Sequence, residues 1–171
     1  MQLMKTMNKI RLLAMLPLFA LLLNGCKENI EGELGESYDK VAGMNGTWEL
    51  TKFSQIDLNN PIKEERDLTE FYIIDGITPM QIIFDSNEKS YEVLISAGRN
   101  YFGPSGTWTF DDNEYPSFLL MDDGTTERSF ELGRVVREFD NSLVIDLRRG
   151  CSDADGNFVE TVVYHFEFTR K

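Results

Sequence analysis

From Gly46 to the C-terminus, apolar and polar residues alternate with a period of two, the pattern of strands that bury one face. Eight such runs are readable, at 46–56, 79–85, 90–96, 105–111, 116–121, 125–138, 142–149 and 157–169. Between them stand SNEK, DDNEY, DDG, FDN and SDADG, rich in the Asp, Asn, Gly and Ser that make tight hairpins. One connection, 57–78, is long. It carries the signs of a short helical turn from Asp67 to Ile73, with Asp67 as cap and Glu70 three residues on. The expected fold is all-β, an eight-stranded antiparallel up-and-down barrel, because closure leaves no exposed edge.

Alternation also assigns faces. The inward set is Trp48 and Leu50; Met80, Ile82 and Phe84; Tyr91, Val93 and Ile95; Trp108 and Phe110; Phe118 and Leu120; Leu143, Ile145 and Leu147; and Val162, Tyr164, Phe166 and Phe168. Glu49, Gln81, Glu92, Thr107, Asp146, Arg148, His165 and Glu167 fall on the wet face. Ile83, Leu94, Leu119 and Val163 have the wrong parity for the interior, which suggests cover from a connection or an interface. Gly133, inside the 125–138 run, reads as a bulge.

The N-terminal stretch is of another kind. Residues 1–25 carry Lys5, Lys9 and Arg11, no acid, and an apolar run from Leu12 to Leu23. That run is too short to cross ~30 Å of hydrocarbon as a helix and has the layout of a secretory signal. It ends in Leu23-Asn24-Gly25-Cys26, which resembles the lipobox of bacterial lipoproteins. The resemblance implies cleavage before Cys26, lipidation of its sulfur, and a membrane anchor without a span. Residues 26–44 are then the lipidated cysteine and a polar, acidic tether, and 45–171 the barrel. By resemblance to the sorting rule of enteric lipoproteins, Lys27 rather than Asp after the cysteine implies sorting to the outer membrane, on either of its faces.

Removing residues 1–25 lowers the 17 cations to 14 against 29 acids, so the mature net charge is −15. Such a surface repels nucleic acid and anionic headgroups. With Cys26 lipidated, Cys151 has no disulfide partner, and its place at a strand end suggests a small, partly buried side chain rather than a reactive thiol.

The Gly46-Thr47-Trp48 opening of the first strand, followed by a seven-strand meander, resembles the lipocalins and the wider calycin group. With its second copy in GTWTFDDNEYPSFLL, the chain looks like a family of lipocalin-like lipoproteins of Gram-negative bacteria. The resemblance spans about 44–171. It implies that Trp48 packs at a closed barrel end with an arginine over the indole, a role Arg170 has the parity to fill. The Arg-x-Tyr with which fatty-acid-binding proteins hold a carboxylate does not occur in the sequence.

Catalytic and metal chemistry find little support. Asp153-Ala154-Asp155-Gly156-Asn157 has oxygen ligands on alternate residues, but a calcium loop places its glycine two residues later and a glutamate where Tyr164 stands. The acids of FDDNEY and MDDG sit in connectors, where they form turns. His165, the only histidine, falls on the wet face beside Glu167, and no nucleophile elbow accompanies it. No enzyme, metal or cofactor is expected. The apolar interior is the candidate site, with Trp48, Leu50, Ile82, Phe84, Tyr91, Val93, Trp108, Phe110, Phe118, Leu120, Ile145, Tyr164 and Phe166 as ligand-contacting residues. Two readings stay open: a small apolar ligand held inside, or a filled barrel acting as a structural or interaction module with an envelope protein partner.

Overall fold

The structure, a computed structural model, describes residues 38–171. The signal segment 1–25, Cys26 and the tether up to residue 37 lie outside the described residues. Residues 39–44, read from sequence as the end of the tether, form the start of the folded unit. Asp39 caps a short helix, α1 (Lys40–Met44), its carboxylate accepting from the Val41 and Ala42 amides at 2.8 and 3.0 Å. Met44 at its end is buried.

Nine strands follow: β1 (Gly46–Asp57), β2 (Glu65–Asp67), β3 (Gln81–Asp85), β4 (Ser90–Leu94), β5 (Ser105–Phe110), β6 (Phe118–Asp122), β7 (Glu127–Leu132), β8 (Ser142–Ser152) and β9 (Phe158–Arg170). From β3 to β9 each strand pairs with the next. β1 pairs with both β3 and β9, which closes an eight-stranded antiparallel up-and-down barrel. β2 is extra. It pairs with Ser54–Ile56 of β1, beyond the point where β3 stops at Glu49. The long connection also holds a single 3-10 turn at Thr69–Phe71, inside the stretch where a helical turn was expected.

The barrel is uneven. β1, β8 and β9 run 12, 11 and 13 residues, whereas β3 to β7 have only five or six. Three long strands make a tall wall. Above the short strands, the connection 68–80 runs beside β1 and packs Tyr72 on Phe53, and the connection 95–104 packs Phe102 on Phe166.

Pairing decides the faces where the sequence pattern did not. Residues directly opposite in an antiparallel pair share a face. Trp108 pairs with Met121 and Phe110 with Leu119, so Leu119 and Met121 point inward and are fully buried. The assignment of Phe118 and Leu120 to the interior is therefore corrected: Phe118 is 37% exposed and Leu120 half-buried on the outer face. Four consecutive apolar residues, Phe118 to Met121, carry no parity of their own. In β1 a bulge between Leu50 and Lys52 shifts the phase by one, so Phe53 joins the core after Trp48 and Leu50. The 125–138 run is not one bulged strand. β7 ends at Leu132, Gly133 donates its amide to Val144, and residues 133–141 loop across the barrel end. Cys151 is exposed within β8, not partly buried.

The two Gly-Thr-Trp openings use glycine differently. Gly46 has φ +113°, which lets the chain swing from α1 into β1. Gly106 has no such dihedral; a Cβ there would lie 1.9 Å from the Asp122 carbonyl oxygen, so it is the close approach of β6 that requires glycine.

Candidate functional site

The barrel interior was the candidate site, and its contents follow from how each end is sealed. At the lower end, where α1 and the C-terminus lie, Trp48 is fully buried and its indole N–H donates to the Met44 carbonyl at 2.8 Å. The Arg170 guanidinium lies 4.4 Å from the indole centre. It is held by three backbone carbonyls: Asp140 at 3.0 Å, Asn45 at 2.7 Å and Gly43 at 2.6 Å. One side chain thus ties together α1, the start of β1 and the 133–141 loop, while covering the aromatic face. Trp48 and Arg170 are register partners across β1 and β9, which places the cation over the ring without further adjustment. Trp108 sits toward the same end, its N–H donating to the Asp85 carbonyl at 3.3 Å and its ring packed edge-on to Phe84 and Phe110.

The upper mouth is closed by aromatic side chains from connections. Phe102, in the β4–β5 loop, is fully buried. Its ring stacks on Phe130 at 4.7 Å and meets Phe166 and Phe168 edge-on at 5.0 and 6.0 Å. Tyr101 lies beside it, 4.8 Å from Tyr164 and 5.9 Å from Phe53. Tyr72, from the 68–80 connection, packs edge-on to Phe53 at 4.7 Å.

Hydrogen bonds pin these loops. The Asn100 carboxamide accepts from the Phe102 amide at 2.8 Å and donates to the Gly103 carbonyl at 2.9 Å. Tyr91 donates its hydroxyl to the Phe102 carbonyl at 2.8 Å. The Tyr72 hydroxyl donates to the Arg99 carbonyl and accepts from the Arg99 amide. Burial raises the pKa of the Tyr72 and Tyr91 phenols and pushes that of Tyr101 up to about 12. Among the described residues, no buried side-chain nitrogen or oxygen lacks a partner.

Of the residues predicted to contact a ligand, Trp48, Leu50, Ile82, Phe84, Tyr91, Val93, Trp108, Phe110, Ile145 and Phe166 are buried together in one core. Tyr164 packs at its upper edge, while Phe118 and Leu120 lie outside. The alternation missed Phe53, Tyr72, Tyr101, Phe102 and Phe130. For Tyr101 and Phe102, the available signal was a pair of aromatics inside the otherwise turn-like RNYFGPSG.

The outer face carries polar chemistry. Lys52 bridges Glu65 and Glu167 at 2.7 and 3.3 Å, and Arg148 bridges Glu131 and Glu160. His165 sits between Asp146 at 2.6 Å and Glu167 at 3.4 Å. Ser54, its register partner on β1, donates its hydroxyl to Glu65 instead. A pocket of about 370 Å³ on this face is lined by Phe118, Ser129, Glu131, Asp146, Arg148 and Glu160. Two further pockets lie outside the barrel, one by Gln55 and Arg66 and one by Asp67 and Glu70.

The acidic connectors serve their own turns. Asp153 accepts from the Asp155 and Asn157 amides, Asp111 from those of Ser117 and Phe118, and Asp112 from those of Glu114 and Tyr115. Asp123 accepts from Thr125, Thr126 and the Arg128 guanidinium. These bonds lower all four carboxyl pKa values below the usual aspartate range. No protein-family profile matches the chain, and no curated protein matches it.

Proposed function

We propose that this protein is a lipocalin-like lipoprotein, anchored in the outer membrane through Cys26, whose filled barrel serves as a protein-interaction module and not as an enzyme. The observation that carries this reading is Phe102, fully buried at the centre of the upper core and stacked on Phe130. A carrier needs its interior for cargo, and barrels of this strand number have room for either side chains or one small ligand. Here a ligand in the interior has to displace Phe102 and the hydrogen-bonded loop behind it. What is left for recognition is the outer surface.

Two measurements test the proposal. Titrating the protein with a panel of lipids, sterols and aromatic compounds, with Trp48 and Trp108 fluorescence as readout, is expected to give no saturable change. Saturable quenching would restore the ligand-carrier reading. Metabolic labelling with a radiolabelled fatty acid is expected to label the wild type, while Cys26→Ser loses the label and leaves the membrane fraction.

A further inference from the structure

The 68–80 connection combines features that stability alone does not explain. Phe71, Ile73, Ile74 and Ile77 are 53, 36, 42 and 39% exposed, four large apolar side chains within seven residues. Exposed aliphatics on a floppy loop would turn inward or rearrange. These are held outward. Tyr72, between Phe71 and Ile73, is buried against Phe53 and hydrogen bonded to Arg99. The Tyr72 and Ile73 amides both donate to the Thr69 carbonyl, and the Ile77 amide to that of Ile74. The ends are fixed to β1, by Leu68 donating to the Phe53 carbonyl and Leu50 donating to that of Met80. A pinned apolar patch is pre-organised for contact, since little ordering remains to be done on binding.

Charge selects the occupant. Between residues 63 and 77 stand Glu64, Glu65, Asp67, Glu70 and Asp75 against two cations, Lys63 and Arg66. Glu65 is engaged by Lys52 and Ser54, but Glu70 and Asp75 flank the apolar residues directly and are exposed. A leaflet of anionic lipid is repelled by such a rim. A protein face with an apolar centre and surrounding Lys or Arg fits it.

Resting on the reading of the barrel as an interaction module, we infer that the Phe71–Ile77 segment is its docking surface, and that the partner is a protein presenting apolar side chains ringed by basic ones. The test is photo-crosslinking in cells of the native source, using the full chain with p-benzoylphenylalanine in place of Phe71 or Ile74. The control carries it at Tyr115 or Phe139, exposed aromatics in the β5–β6 and β7–β8 connections. Positions 71 and 74 are expected to give a discrete protein adduct whose crosslinked peptide contains Lys or Arg beside apolar residues. Adding Glu70→Lys and Asp75→Lys is expected to lower its yield at least tenfold. Both acids are exposed, and unchanged thermal melting of the variants shows that the barrel is intact.

Adducts to lipid, a crosslinked peptide without basic residues, or a yield indifferent to the charge reversals would overturn the inference. Adducts from Tyr115 or Phe139 alone would overturn it too, while leaving the interaction-module reading in place. Absence of protein adducts from all four positions would overturn both.

Discussion

The two ends of this barrel are closed by different physics. The lower end is closed by polar chemistry concentrated in one residue, with the Arg170 guanidinium donating to three carbonyls while its plane lies over Trp48. At the upper end the closure is apolar and shared, with Tyr72, Tyr101 and Phe102 burying rings against Phe53, Phe130 and Phe166. The difference follows from strand length. Near the lower end the strands are paired, and α1 and the 133–141 loop meet over the remaining gap, where one side chain can tie them together. Near the upper end β3 to β5 have stopped, and only connections bearing large rings can supply the missing wall.

The largest expected effect is on the upper end. Phe102→Ala removes a fully buried ring and should cost about 3–5 kcal/mol, read from urea unfolding. If the vacated space stays open, a small aromatic such as indole should raise the Tm of the variant and leave the wild type unchanged. A loss below about 1 kcal/mol would mean that the loop is not a plug and that the two ends do not differ as described.

The lower end comes next. Arg170→Ala leaves three carbonyls without their charged donor and uncovers Trp48, an expected loss of about 2–3 kcal/mol. The indole emission should shift to the red. Arg170→Lys keeps the charge but not the planar fan of donors, so it should recover less than half of the loss. Full recovery by lysine would reduce the lower closure to a simple charge effect.

Acid should affect both ends, and least of all. Asp140, which accepts from the Arg137 amide and guanidinium at the lower end, and Asp123 at the upper end both have lowered carboxyl pKa values. For Asp140 the first cause is the Arg137 side chain; for Asp123 it is the Thr125 hydroxyl, followed by Arg128. A pKa lower in the folded than in the unfolded chain adds stability that is complete above the unfolded value and lost as pH falls through the folded one. Tm should therefore be level from neutral pH to about 5 and decline below about 4. Asp123→Asn should flatten the decline more than Asp140→Asn. Equal flattening would show that the two turns respond to acid alike.

Much of this was readable from residue order, and the exceptions have specific causes. In β3, β4 and β8 burial alternates as expected despite off-parity apolar residues such as Ile83 and Leu94, and Ile82, Phe84, Tyr91, Ile145 and Phe166 are buried as their parity requires. Arg170 over Trp48 was also anticipated, from a resemblance and a parity. Phe118 and Leu120 were misassigned because a run of four apolar residues reads equally well in either phase. Phe53 was missed because a one-residue bulge is silent in a pattern of hydrophobicity. Phe102 was missed because the aromatic pair in RNYFGPSG, the one local signal, does not tell a ring that fills a core from one that points to solvent, as Phe139 does.

By itself, then, the sequence determined the all-β class, the barrel closure and most of the inward faces, since period-two burial and turn chemistry act between near neighbours. Tertiary structure alone decided the phase of β6, the bulge in β1, the end of β7 and the burial of Phe102. Each depends on what lies opposite: β5 sets the face of Leu119, β9 absorbs the extra residue at Thr51, and the space above the short strands draws in Phe102. Burial of that ring is a contact between residues far apart in the chain, and no local pattern encodes it.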